Sequence, residues 1–138
     1  MFYGCKIALL CGADMVVILR DDRPDIPYPN MWDMLGGGPD AGETPEDTVR
    51  REVREEVGIT EFEIIASVEK DSDGRPGTPS WFFVGQMTAD QVATLQLGDE
   101  GQECRLMPVA QFLADPQAIG FQKQWLADYL ATKGRSDG

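Results

Sequence analysis

The stretch from Gly36 to Ile59, GGGPDAGETPEDTVRREVREEVGI, constrains the fold more than any other part of the chain. Consecutive glycines open it, and they allow the backbone conformations and close approaches that a Cβ forbids. A helix start follows. Thr44 suits the N-cap, Pro45 the first helical position, and Asp47 the acid of a capping-box-like pair. Val49, Val53 and Val57 recur at i, i+4 and i+8, a narrow apolar stripe that needs a core to face, and Gly58 supplies the stop. The pattern predicts a loop over Gly36–Gly42 packed on a helix over Thr44–Val57.

On that helix Glu52, Glu55 and Glu56 share an arc of about 100° at the border of the valine stripe. Like charges at these spacings repel and weaken the helix. A solvated acidic face would require neither Glu43 nor the glycines, nor this register against the valines. The carboxylates read instead as a site for a hard cation such as Mg²⁺, which takes oxygen ligands and shares them with phosphates.

Around this unit the apolar runs Lys6–Gly12 and Met15–Arg20 read as strands joined by a tight turn. Asp21–Asn30, with Pro24, Pro27 and Pro29, is a loop, and Met31–Leu35 a short strand. Glu61–Lys70 and Ser80–Met87 read as strands linked by the turn-rich Asp71–Pro79. Thr88–Leu95 reads as a short helix, Gln96–Gln102 as a polar loop and Cys104–Met107 as a last strand. Gln117–Ala131 closes the chain as a helix with Phe121, Trp125, Leu126, Tyr129 and Leu130 on one face. Strands interleaved with helices give an α/β sandwich, a mixed sheet between helical layers. Residues 1–132 are expected to form one domain, with 133–138 a disordered tail.

The charge balance, 24 acidic against 12 basic side chains, disfavours nucleic-acid polymers and anionic membranes as partners. No histidine is present, which removes Ser–His and Cys–His catalysis and His-ligated zinc. The three cysteines, Cys5, Cys11 and Cys104, lack a C-x-x-C spacing and fit a reducing cytoplasm.

From Gly37 the segment reads glycine, five residues, Glu43, seven residues, then Arg51-Glu52-Val53-Arg54-Glu55-Glu56-Val57-Gly58-Ile59. This matches the signature of the Nudix family, G-x5-E-x7-R-E-U-x-E-E-x-G-U with U aliphatic, at a chance rate on the order of 10⁻⁷. The chain thus resembles the Nudix hydrolases, and the short match at Asp99-Glu100-Gly101-Gln102 is similar to the MutT-like branch. The resemblance implies a Nudix-type α/β/α sandwich and hydrolysis of a diphosphate linkage in a nucleotide-type substrate. It also implies Mg²⁺, with Mn²⁺ as substitute, on Glu52, Glu55, Glu56, the Gly36 carbonyl and Glu100, with Glu103 as the alternative to Glu100. Glu52 or Glu55 would handle the proton, and Arg51 would pair with Glu43 to brace the loop. One departure is Leu35, where many relatives carry proline.

The signature reads only the diphosphate. Nucleoside triphosphates, oxidised nucleotides, ADP-ribose and other nucleotide sugars all remain open. Gly37 and Gly38 are expected against the phosphates, Arg20, Arg23 and Lys6 against phosphate or sugar, and Trp32, Trp81 and Phe83 against a base. Each of these aromatic residues suits core packing equally. The expected partner is a small molecule bound by a monomer or homodimer. The alternative is a Nudix-fold module that binds or senses a nucleotide without turnover.

Overall fold

The computed structural model describes residues 1–133 in full and carries the last helix to Asp137 as backbone. The tail expected over 133–138 lies, after Lys133, outside the fully described residues. In chain order the elements are β1 (Cys5–Cys11), β2 (Asp14–Leu19), β3 (Trp32–Asp33), β4 (Leu35–Gly37), α1 (Pro45–Val57), β5 (Glu63–Ser72) and β6 (Arg75–Gln86). Then come α2 (Ala89–Val92), β7 (Glu103–Pro108), α3 (Val109–Ala114) and α4 (Gly120–Asp137).

The strands form one seven-stranded sheet in the order β3-β2-β1-β6-β5, with β4 added on β1 and β7 on β2. β1 and β6 run parallel, and every other pair is antiparallel, so the sheet is mixed. β1 and β2 pair only beside their turn, at Leu10–Met15 and Cys11–Asp14. Farther along they diverge, and β4 takes the edge of β1 by pairing Cys5 with Gly37 and Lys6 with Gly36.

Period-2 alternation sorts the strand side chains between two cores. Ile7, Leu9, Val16, Ile18 and Phe83 pack with Val49, Val53 and Val57 of α1 on one face. Ala8, Met15, Val17, Phe82 and Val84 pack with Phe112, Trp125 and Leu126 of α3 and α4 on the other. The three valines of α1 are fully buried, as their register requires. Burying such a side chain contributes roughly 1.5–3 kcal/mol. The expected sandwich of helices about a mixed sheet is what forms.

The Thr44 capping box is complete: Asp47 N–H donates to Thr44 Oγ1 and Thr44 N–H to Asp47 Oδ2, both at 3.1 Å. Gly58 ends α1 at φ 76°, a left-handed turn that favours glycine.

Several boundaries differ from the sequence reading. Gly36 and Gly37 belong to β4, because the divergence of β1 and β2 leaves a strand edge for them to pair with. The hairpin of β5 and β6 runs through most of the segment read as a loop, turning only at Asp73-Gly74. Val109–Ala114 forms a helix too short to show a period in sequence. Leu130 leaves the apolar face of α4 and is exposed. No helix among the described residues is long and apolar enough to cross a membrane.

Candidate active site

Arg51 organises the acidic groups of α1. Its planar fork of donors reaches several acceptors at once. Nε donates to Glu43 Oε2 at 2.8 Å and Nη2 to Glu43 Oε1 at 3.0 Å. Nη2 also reaches the Gly38 carbonyl at 2.9 Å, fastening the glycine loop to the helix. Nη1 serves Glu52 Oε1 at 3.0 Å and Glu55 Oε2 at 3.1 Å. Glu43 further accepts from the Asp40 amide and the Thr48 hydroxyl. The Arg51 hydrogen bonds, above all, hold its carboxyl down at about 2.

Glu52 lies under the loop. A Cβ at Gly37 would come within 2.6 Å of Glu52 Cδ, so only glycine leaves room for this carboxylate. Burial pushes Glu52 upward against the opposing pull of Arg51. Glu56 is buried more deeply. Its Oε1 accepts the Gly36 amide at 2.8 Å, and burial raises its carboxyl to about 8 despite the Lys6 ammonium. Gly36, at φ 140°, has the Cys5 carbonyl where a Cβ would stand, at 2.1 Å.

The expected convergence of Glu52, Glu55 and Glu56 with the Gly36 carbonyl is not the arrangement seen. Among the described residues no three acidic or cysteine side chains are gathered around one point suited to a metal ion. Glu52 and Glu55 are engaged by one Arg51 nitrogen, and Glu56 turns to the Gly36 N–H rather than joining its carbonyl. Each carboxylate accepts an N–H hydrogen bond instead. The donor set itself still suits a hard divalent cation, because every group in it is an oxygen ligand.

Glu100 sits exposed in the loop after α2. That loop rests on the end of α1 that carries the carboxylates: Gln96 N–H donates to the Val57 carbonyl at 3.1 Å and Gly98 N–H to that of Glu56 at 2.9 Å. Glu103 instead opens β7 and pairs with Arg105.

Beside the loop lies a cavity of about 1030 Å³. Gly36, Gly37 and Gly38 line it, together with Lys6 and Arg20. Both cations are held by Asp33, Lys6 Nζ at 2.9 Å and Arg20 Nη1 at 3.0 Å. Gln122, wholly buried, donates to Asp33 at 2.6 Å and accepts the Met34 amide at 2.7 Å. Tyr28, Phe121 and Trp125 supply an aromatic wall.

Glu52, Glu55 and Glu56 do not line this cavity, and neither do Arg23, Trp32, Trp81 and Phe83. Arg23 pairs with Asp25 at the surface. Trp32 is buried beneath the Arg105 guanidinium, and Phe83 is only 3% exposed in the core under α1, with Trp81 stacked against it. Strand alternation turns Trp81 and Phe83 toward α1 and away from the cavity, which lies on the α4 side. Of the side chains chosen for substrate contact, Lys6 and Arg20 are the two that line it. Asp33 and Gln122 were missed because their partners stand up to 89 residues away in sequence. The one local hint is a glutamine beside Phe121 on the apolar face of α4.

The family model of the NUDIX domain matches residues 6–129. The chain belongs to the Nudix family. Over 54 residues it is 41% identical to the nucleoside triphosphatase NudI of Escherichia fergusonii, a match covering 39% of this chain and 37% of that protein. The same coverage and identity hold for NudI of an Enterobacter species. The chain therefore aligns with well under half the length of these relatives.

Among solved structures, a MutT protein from Methanosarcina mazei superposes with TM-score 0.72 at 18% identity, covering 94% of this chain and 93% of that one. A Nudix hydrolase from M. smegmatis, RenU, gives 0.71 at 21% identity over 96% and 86%. A bifunctional NMN adenylyltransferase/ADP ribose pyrophosphatase from Francisella tularensis, complexed with AMP and a Mn ion, gives 0.73 at 14% identity over 96% and 42%. At these identities the likeness is one of fold, and it spans 94% to 96% of this chain.

Proposed function

We propose that the chain hydrolyses a phosphoanhydride bond in a nucleoside diphosphate-linked substrate, with Mg²⁺ as its cation and Mn²⁺ as a substitute. The observation that carries this is the unbroken Nudix signature, its Glu43, Glu52 and Glu55 gathered on one arginine directly under the glycine loop. Glu52, Glu55, Glu56, the Gly36 carbonyl and Glu100 would hold the cation, once Arg51 and the Gly36 amide release the carboxylates. When bound, the cation polarises phosphate oxygens and lowers the pKa of a water.

The protein's own groups do the rest. Gly37 and Gly38 let the phosphates approach the backbone closely. Until the cation binds, Arg51 keeps Glu52 under the loop through its 3.0 Å hydrogen bond. Glu52 or Glu55 accepts the proton of the water that attacks phosphorus, as the P–O bond to the leaving phosphate breaks. Lys6 and Arg20 bring positive charge to the cavity of a chain whose net charge is −12.

A single domain over residues 1–132, a cytoplasmic setting and a monomer or homodimer accompany this reading. The test is a panel of nucleoside triphosphates, oxidised nucleotides, ADP-ribose and nucleotide sugars incubated with Mg²⁺, with products identified by mass. Cleavage between phosphates is expected for at least one member. Tight binding without cleavage would support a sensing module instead, and neither binding nor cleavage would overturn the reading.

A further inference from the structure

Tyr28 stands between two prolines in the loop joining β2 to β3, at φ 52°, a backbone region unfavourable to bulky residues. Three contacts hold it there. The carbonyl of Pro27 accepts from Arg20 Nε at 2.9 Å, the Tyr28 hydroxyl donates to Asp73 Oδ2 in the β5–β6 turn, and the ring leans on Phe121. Tyr28, Asp73 and Phe121 all line the cavity that also holds the glycine loop.

The two rings differ in support. Phe121 packs edge-on against Trp125 at 4.9 Å, and Trp125 against Phe82 of the sheet, so this face is continuous with the core. Tyr28 is held through its loop, its hydroxyl and its contact with Phe121. The centroids of Tyr28 and Phe121 lie 6.1 Å apart with a 50° tilt, which places the rings in contact. For a planar ring to enter between them, Tyr28 would have to swing outward while Phe121 stays in place.

We propose that Tyr28 and Phe121 are the two faces of a stacking slot for the planar base of the substrate, with the Tyr28–Asp73 hydrogen bond as the clasp that steadies the movable face. This rests on the reading of the chain as acting on nucleotide-type substrates. The cavity divides its labour accordingly: glycine backbone, Lys6 and Arg20 face the anionic part, while Tyr28, Phe121 and Trp125 offer aromatic surface to the base. The volume matches that of a cleft for a ligand of this size. The phenol is neutral near pH 7, as an ordinary tyrosine is, and the hydrogen bond to Asp73 pushes its pKa further up, to about 12. The slot presents a neutral face to the base.

The experiment compares a nucleoside triphosphate that the parent turns over with inorganic tripolyphosphate, which has the same anhydride and no base. Steady-state constants are measured for the first and a competitive Ki for the second, on parent, Tyr28→Ala, Tyr28→Phe and Asp73→Ala. Tyr28→Ala should raise the nucleotide KM roughly 5- to 100-fold, the loss of one stacking face, and leave kcat and the tripolyphosphate Ki unchanged. Tyr28→Phe and Asp73→Ala should each cost less than Tyr28→Ala. Combined, they should cost no more than either alone, because both break one clasp. Nucleotide should quench tryptophan fluorescence in the parent through Trp125.

A Tyr28→Ala protein that keeps the parental nucleotide KM overturns the slot. So does one whose nucleotide KM and tripolyphosphate Ki rise by the same factor, since Tyr28 would then shape the whole cavity. A parent that neither binds nor cleaves any nucleotide removes the functional reading and the slot together.

Discussion

The Glu52 carboxylate occupies the space where a side chain at residue 37 would begin: a Cβ on Gly37 would stand 2.6 Å from Glu52 Cδ and 2.7 Å from Oε1. Glycine loop and acidic helix are thereby one interlocked unit. Gly37→Ala should displace the end of a flexible side chain and leave the fold nearly intact, while activity falls at least tenfold. Gly36→Ala places its Cβ 2.1 Å from the Cys5 carbonyl at a backbone φ of 140°, and should cost several kcal/mol through the β1–β4 pairing. Thermal unfolding and kcat measured together separate the two. Equal losses of stability would show that Glu52 is not free to yield.

Glu56 gives the metal-free protein a pH signature. Its native carboxyl titrates near 8, above the unfolded value of about 4.5. Between those values the folded state binds the extra proton. The contribution is therefore complete below about 4.5 and is lost as pH rises through 8. Glu56→Gln keeps the acceptor for the Gly36 amide and removes the titration. In chelator, urea unfolding at pH 5, 7 and 9 should show the variant gaining on the parent as pH rises, and its hydrolytic activity should fall by several orders of magnitude. A constant difference between the two proteins would place the Glu56 carboxyl in the ordinary range, and full activity would remove it from the metal site.

Glu43 behaves in the opposite sense. Arg51 holds its carboxyl at about 2, below the unfolded value, so its contribution is present above about 4.5 and disappears as pH falls toward 2. Glu43→Gln should lower both melting temperature and activity, because Arg51 then loses the partner that aims it at Glu52 and Gly38. Arg51→Lys should do the same, since one ammonium cannot reach Glu43, Glu52, Glu55 and the Gly38 carbonyl together. A lysine variant with parental kcat would show that the fork geometry is dispensable.

Glu100 should matter to turnover and little to folding, because it is exposed. Glu100→Ala should lower kcat, with partial recovery at higher Mg²⁺. Glu103→Ala, which loses only the surface pair with Arg105, should change little. Gly98→Ala brings a Cβ within 2.3 Å of the Glu55 carbonyl and should lift the loop from α1, reducing kcat and stability together. If Glu103 proves essential and Glu100 silent, the loop presents its other acid.

The glycine loop, the capped helix and the valine register were legible in sequence because each rests on neighbours within a few residues, where helix period and glycine chemistry act directly. The signature that links Glu43, Arg51 and the α1 glutamates is local for the same reason. What sequence could not supply was the meeting of distant segments. Whether Trp32 and Phe83 face substrate or core depends on which sheet face each occupies and on what covers it, and both are core. The joining of Asp33 to Gln122, and of Tyr28 to Asp73 and Phe121, follows from packing α4 and the β5–β6 hairpin beside the β2–β3 loop. Local chemistry determined the glycine loop, the acidic helix and the family signature they carry. Only the tertiary structure decided the cavity, because hydrogen bonds and ring contacts across 45 to 93 residues exist only once the sheet has brought those segments together.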